Sequence, residues 1–289
     1  MKRIVVLTVV LTIFSVQYAV AQRNDVSGET TFVTYEGESV LTFEMPGYGD
    51  ESNGGVFYQE NAWRLFWPEK VNGKKSVVLG RALAEDLTPT NDEGSHAVGM
   101  AYSATGVVEQ IQKYVSYTDV ENVRQVRKSA VESMEPSQMN TFRKILNLKS
   151  NNGRVFVFEM FHSSYLAGAM HGMYGFTYVS YDAKLDKVLR LTDIVTDTVK
   201  LRKVATQSLL EANNVKTMEQ LVEKTGYFIY EPLLPLPSAF YYDGATLQFV
   251  YQPYEIASYA DGKLDFEIPT YMLVEAGIMT EYAQKLSEF

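Results

Sequence analysis

Two strand-like segments flank the sequence Asn151-Asn152-Gly153, and this arrangement constrains the fold more than any other feature of the chain. The segments are MNTFRKILNLKS (139–150) and RVFVFEMFHSSY (154–165), in which apolar residues recur with strand-like spacing. Asn and Gly tolerate the positive φ angles that tight hairpin turns require. The sequence therefore predicts two long antiparallel strands joined at Asn152-Gly153.

The rest of the chain reads as strands in series with a few helices. Helices are predicted at 72–87, from the N-cap Asp197 onward, at 217–226 and at the C-terminal tail, with a short helical turn at Thr192 or Asp193. The predicted strands and hairpins are 31–45 with a turn at Glu36-Gly37, 63–68, 99–117, 176–181, a hairpin across Asp243-Gly244, and 264–268. The segment 122–134 fits either a helix or a strand, and the segment 46–55 is predicted to be a surface loop. Because the strands do not alternate with helices, we expect an α+β fold with mostly antiparallel sheet and a few packed helices.

The N-terminus has the three parts of a secretory signal peptide. A basic Met1-Lys2-Arg3 precedes an apolar run from Ile4 to Ala21, with alanines at positions 19 and 21. We expect cleavage after Ala21 and an exported protein, periplasmic or secreted, with an uncleaved anchor as the alternative. The chain contains no cysteine, which argues against a lipoprotein and leaves no disulfide to stabilise the fold.

The expected organisation is a signal peptide (1–21), an N-terminal α+β region (22–135) and a C-terminal α+β domain (136–289). Pro136 marks the boundary, and one continuous unit is the alternative. The formal net charge of −9 argues against nucleic acid as a partner. After the signal segment no further membrane span is expected.

The residues that could carry chemistry give weak signals. The three histidines are His96, His162 and His171, and their spacing matches no zinc pattern, so no metal or other cofactor is predicted. No GxSxG motif occurs, and no catalytic residue is assigned. Paired carboxylates for glycoside chemistry could be drawn from Glu159, Asp182, Asp193, Glu255 and Asp261, although caps and turns explain these residues as well.

A segment with two glycines, two methionines and a histidine lies between strand-like flanks at 165–174, and we call it the His171 loop. It contains the predicted ligand-binding residues, which are Tyr165, Met170, His171, Met173 and Tyr174. Methionine and tyrosine side chains can form an adaptable apolar surface for a protein or a glycan. The alternative is that the tyrosines pack beneath neighbouring strands.

Two separated motifs resemble one known family. The first motif of the family is a Tyr-x-Gly-Gly-Ala-His-Gly loop, followed by a strand ending in Asp and a Leu-x-Leu-x-Asp-Leu-Phe segment. The residues of this chain that match it are Tyr165, Gly168, Ala169, His171, Gly172, Asp182, Leu189, Leu191, Asp193 and Ile194. The second motif, YQPYEIASYADGKLDFEIP (251–269), is similar to Pro-Tyr-Glu-Ile-Ala-Pro-Tyr-Ala-x-Gly. Over residues 139–275 the chain thus resembles the secreted domain of unknown function of RsiV-type lysozyme-sensing anti-sigma factors and PdaC-type deacetylases, which is also abundant in exported Bacteroidetes proteins.

This resemblance implies an exported, non-catalytic binding module for a protein, such as a lysozyme, or for a cell-wall glycan. It carries over no catalytic residue. Ala167 replaces a motif glycine, Met170 is inserted before His171, and Ser258 replaces a proline. Because catalysis needs precise geometry, the displaced His171 favours a structural or binding loop. The alternative function is a hydrolase of envelope polysaccharide or peptidoglycan, with Glu255 or His171 as the acid or base.

Overall fold

A computed structural model describes residues 23–27, 30–45, 55–88, 102–117 and 119–287. The chain divides into two compact units. The first comprises the described residues up to Asn147 together with Met160–Tyr174, and the second comprises Leu148–Glu159 and the described residues from Gly175 onward. The predicted α+β class is confirmed. The predicted boundary at 135 and 136 stays a prediction, and the predicted signal peptide lies outside the described residues.

An eight-stranded sheet provides most of the β-structure. Its strands are β1 Arg23–Ser27, β2 Thr30–Met45, β3 Gly55–Lys70, β4 Glu121–Val126, β5 Asn140–Asn151, β6 Val155–Tyr165, β7 Met173–Asp182 and β8 Lys187–Val188. Seven of them follow the order β1-β2-β3-β5-β6-β7-β8, and β4 pairs with β2. The pairs β1–β2, β2–β3, β2–β4 and β7–β8 are antiparallel. Strand β3 pairs with β5 in parallel, with Ala62 opposite Arg143 and Arg64 opposite Ile145.

Two helices complete the first unit, α1 Val77–Leu87 and α2 Ala104–Lys113. The Ser76 hydroxyl caps α1 by accepting a hydrogen bond from the Leu79 N–H, and the Ser103 hydroxyl caps α2 in the same way. Helix α1 buries Leu79, Leu83 and Leu87, which recur every four residues. The buried indole of Trp67 and the buried Leu65 lie on one face of β3, and the side chains between them point to the other face.

Three sequence predictions in this unit need correction. The segment 31–45 forms one strand and not a hairpin, because Gly37 keeps an extended conformation and pairs with Trp63 of β3. The segment 99–117 contains helix α2 and not a strand; the Ser103 cap and the buried Val107 and Ile111 explain why. Helix α1 begins at Val77 rather than at residue 72, and Val77 itself is exposed. The predicted loop 46–55 lies almost entirely outside the described residues.

The second unit combines a small sheet with five helices. The elements are α3 Leu191–Ile194, α4 Thr198–Ala212, α5 Met218–Thr225, β9 Ala239–Tyr242, β10 Thr246–Tyr251, β11 Leu264–Pro269, α6 Thr270–Glu275 and α7 Glu281–Leu286. The sheet order is β11-β10-β9, with antiparallel pairing throughout. The core gathers apolar side chains from α4, such as Leu201 and Leu209, and aromatic side chains from the strands, such as Phe249 and Tyr251.

Capping residues and turn residues in the sequence predicted several elements of this unit correctly. Asp197 caps α4, since its carboxylate accepts hydrogen bonds from the backbone N–H groups of Val199 and Lys200. Gly226 ends α5 with a φ of 76°. The hairpins at Asn152-Gly153 and at Asp243-Gly244 are both present, and Gly153 and Gly244 have positive φ. Across the described part of the chain, no helix combines the length and apolar character that crossing a membrane requires.

Candidate functional site

The His171 loop connects β6 to β7 and presents apolar side chains to solvent. Met170 is completely exposed, and Met173 exposes 48% of its surface. Leu166, at the start of the loop, is also exposed. Tyr165 and Tyr174 are half-buried, and the Tyr174 ring lies 6.2 Å from the ring of Phe161. The loop therefore projects flexible apolar side chains, while its tyrosines also pack against the unit.

Two hydrogen bonds hold the base of this loop, and one of them comes from a buried side chain. The side-chain oxygen of Asn140, which is fully buried on β5, accepts a hydrogen bond of 2.7 Å from the Ala167 N–H. The Gly168 N–H donates to the Ser137 carbonyl at 3.3 Å. The backbone of the loop is thus fixed at two successive residues, although its side chains remain accessible.

Two glycines allow the chain to follow this path. Gly168 has a φ of 84°, a left-handed conformation that favours glycine. At Gly172, a Cβ atom would lie 2.9 Å from the Ser164 carbonyl oxygen, so only glycine fits without a shift of the backbone. The motif glycines therefore have a geometric explanation.

His171 is exposed, and its Nδ1 lies 2.9 Å from the Gly172 carbonyl oxygen. If Nδ1 carries the proton, that nitrogen donates to the carbonyl and Nε2 keeps its lone pair. Within the described ranges, no group of three or more His, Cys, Asp or Glu side chains is placed to hold a metal ion.

Asp182, one of the candidate carboxylates, is a buried structural group. Its carboxylate accepts hydrogen bonds from the Tyr282 hydroxyl at 2.8 Å, the Arg154 guanidinium at 3.3 Å and the Lys184 N–H at 2.9 Å. Burial by itself raises the pKa of Asp182, but these hydrogen bonds outweigh it and hold the pKa below its usual range. The charged carboxylate thus joins the end of β7 to α7.

Asp193 and Asp261 act as caps. Asp193 accepts hydrogen bonds from the Arg190 N–H and from Lys187, and Asp261 accepts from both the N–H and the hydroxyl of Ser258. Both belong to capping boxes at the start of short helices.

Glu159 and Glu255 also hold the structure together. Glu159 accepts hydrogen bonds from Tyr178 and Lys149, each at 3.0 Å. Glu255 accepts from the Ser238 N–H and hydroxyl and from the Gln252 N–H, so it fixes the turn after β10. The hydrogen bonds of all five candidate carboxylates are those expected of caps, turns and cross-links.

Sequence reasoning did not identify Asn140 as part of the site. Its signal was available, since Asn140, Phe142, Lys144 and Leu146 alternate on β5 and all four are buried. A polar side chain on the apolar face of a strand needs a partner, and here the partner is the His171 loop.

The fold and this loop define an α+β protein with a fixed, solvent-exposed loop between two strands of its larger sheet. Residues 183–271 match the model of a family described as a protein of unknown function (DUF3298). The matched segment includes the motif at 251–269 and begins after the His171 loop.

A solved structure from this family has a similar fold. The crystal structure of a DUF3298 family member from Bacteroides fragilis is similar over 89% of this chain and 98% of that chain, with a TM-score of 0.62 and 18% identity. At this identity the likeness shows the fold alone. A DUF3298 family protein from Pseudomonas aeruginosa aligns over 86% of this chain and 95% of that chain, with a TM-score of 0.49 and 16% identity. No curated protein matches the chain.

Proposed function

We propose that this protein is an exported, non-catalytic binding module of the cell envelope and that the His171 loop contacts its ligand. The observation that carries the proposal is the combination of a fixed loop backbone with a fully exposed Met170. A loop that is ordered before binding loses less conformational entropy when the complex forms. The signal-like segment 1–21 supports export.

A protein ligand fits the side chains of the loop better than a glycan does. Met170 and Met173 are unbranched, flexible apolar side chains that adapt to an apolar protein surface, and Leu166 adds a third exposed apolar side chain. Glycans are usually contacted by flat, accessible aromatic rings, whereas Tyr165 and Tyr174 are half-buried. The resemblance to lysozyme-sensing domains makes a lysozyme the first protein to test.

The hydrolase alternative would need a free acid and base. Glu255 accepts three hydrogen bonds from Ser238 and Gln252, an arrangement that fits a structural carboxylate. His171 lies beside the Gly172 carbonyl. The environment of Glu255 therefore favours a structural role over that of an acid or base.

Isothermal titration calorimetry with the purified protein tests the proposal. We expect saturable binding of a lysozyme, weaker or absent binding of soluble peptidoglycan fragments, and no release of reducing sugar or peptide from peptidoglycan. The hydrolase alternative would replace our proposal if peptidoglycan were cleaved and His171→Ala abolished the cleavage while thermal unfolding stayed unchanged.

A further inference from the structure

A shallow groove of about 510 Å³ crosses β2, β3 and β5 in the first unit. Its lining includes Gly37, Ala62 and Ile145, whose small or apolar side chains leave room above the sheet. The volume lies in the range of small-molecule sites. No local sequence pattern indicates this groove, because one of its three strands, β5, is distant along the chain from the other two.

Charged side chains of opposite sign lie on the two outer strands of the groove, and a second arginine lies on the strand between them. Glu36 is on β2, Arg64 on β3 and Arg143 on β5, and all three are exposed. Glu36 and Arg64 are direct neighbours across the strand pair, and Ala62, two residues before Arg64, is paired with Arg143. Both guanidinium groups therefore project from the same face of adjacent strands.

These three groups have no hydrogen-bond or ion-pair partner anywhere in the described part of the chain. Glu38, the other carboxylate of the groove, is different because Lys128 donates to it at 2.6 Å. Lys128 also lies 3.6 Å from Glu60. The local ion pairs thus leave two guanidinium groups and one carboxylate available, in a protein whose overall charge is negative.

We propose that this groove binds a short zwitterionic peptide, with the peptide carboxylate between Arg64 and Arg143 and its ammonium group facing Glu36. Guanidinium groups recognise carboxylates through paired hydrogen bonds. Neighbouring strands lie about 4.8 Å apart, so β2 with Glu36 and β5 with Arg143 are about 10 Å apart, and an extended tripeptide spans about the same distance. Ile145 and Ala62 provide apolar contact for small side chains between the two ends.

The test uses trialanine as the probe and backbone amides as reporters. Ala62 and Arg64 line the groove and Val123 of β4 does not, so their amide signals in an ¹H–¹⁵N NMR spectrum report binding and its position. We expect trialanine to shift the Ala62 and Arg64 signals saturably, with an affinity in the millimolar range, and to leave the Val123 signal unchanged. Trialanine amide and N-acetyl-trialanine, which lack the carboxylate and the ammonium group respectively, should each bind about 10-fold more weakly.

Substitutions locate the site. Arg64→Gln and Arg143→Gln should each weaken trialanine binding about 10-fold, and Glu36→Gln should remove the preference for trialanine over its N-acetyl form. Arg124→Gln, at an exposed arginine of β4 outside the groove, is the matched control and should leave the affinity unchanged. Thermal unfolding of each variant verifies that it folds.

Three results would overturn the proposal. They are the absence of saturable binding, equal binding of trialanine and its amide, and an equal loss of affinity in Arg124→Gln. None of these results bears on the His171 loop, because a lysozyme titration reports that surface separately.

Discussion

The side-chain oxygen of Asn140 accepts a hydrogen bond of 2.7 Å from the backbone N–H of Ala167, 27 residues further along the chain. Asn140 is fully buried, and Ala167 lies at the base of the exposed His171 loop. The sheet interior thus determines where the loop backbone lies.

Asn140→Ala should make the backbone of the His171 loop more mobile. Loss of one buried hydrogen bond lowers the free energy of unfolding by about 1–2 kcal/mol. The local effect should be larger, since the Ala167 amide loses its acceptor and should exchange with solvent about 10-fold faster. Chemical denaturation and amide hydrogen exchange measure the two effects. Asn147→Ala, at an exposed asparagine of the same strand, should change neither quantity, and unchanged exchange in Asn140→Ala would contradict this explanation.

Asp182→Asn should destabilise the protein by about 3 kcal/mol near neutral pH, because it leaves the Arg154 guanidinium beside a neutral partner. The folded protein holds the pKa of Asp182 below its usual value. The stabilisation is therefore fully present above the unfolded pKa of about 3.9 and is lost as pH falls through the folded pKa.

Denaturation of wild type and Asp182→Asn across acidic pH tests this pH dependence. The difference in stability should shrink steadily as pH falls below about 4. Asp265→Asn, which removes a half-exposed ion pair with Lys263, should cost less than about 1 kcal/mol at neutral pH. A difference that stayed constant with pH would show that the charge of Asp182 is unimportant.

Because of Lys144, the free energy of unfolding should increase as pH rises above neutral. Burial lowers its pKa to about 8, a shift that the nearby Asp86 carboxylate partly opposes. The amine donates to the Asp86 carbonyl at the end of α1. Because the unfolded chain releases this proton only near pH 10.4, it binds more protons than the folded chain between these values, and stability rises with pH.

The comparison with Lys144→Met isolates this effect from the ionisation of tyrosines. From pH 7 to pH 9.5 the wild type should gain about 2 kcal/mol relative to Lys144→Met. Lys70→Met, at an exposed position of β3, should give curves parallel to the wild type. Parallel curves for Lys144→Met would mean that the lysine titrates as it does in the unfolded chain.

Local turn and cap chemistry allowed much of the fold to be predicted. The Asn152-Gly153 hairpin and the Asp197 cap depend on residues that are adjacent in sequence. Gly37 misled the prediction, since a glycine after a glutamate is compatible with a turn, but pairing along the whole of β3 keeps β2 extended. In 104–113 the β-branched Val107 and Val108 favoured a strand, and the Ser103 cap together with burial of Val107 and Ile111 overrides that preference.

The sequence predicted only part of the candidate site. The exposure of Met170 and the loop position of His171 follow from the glycines around them, and the proposed binding role of the loop stays a prediction. The contact from Asn140 lies across the predicted β5–β6 hairpin, but the sequence does not show which residue of the loop Asn140 meets. The groove between Glu36 and Arg143 depends on the parallel pairing of β3 with β5, which no local pattern reveals. Kinship with RsiV-type and PdaC-type proteins in particular also stays a prediction.

The most direct test of the central claim is the affinity of a lysozyme for Met170→Ser, measured by titration calorimetry beside wild type and Leu185→Ser. Leu185 is a comparably apolar and exposed turn residue outside the His171 loop, so its substitution controls for general loss of apolar surface. We predict at least about 10-fold weaker binding for Met170→Ser and unchanged binding for Leu185→Ser, with thermal unfolding unaltered in both. Equal affinities of wild type and Met170→Ser, or no binding by wild type, would contradict the account.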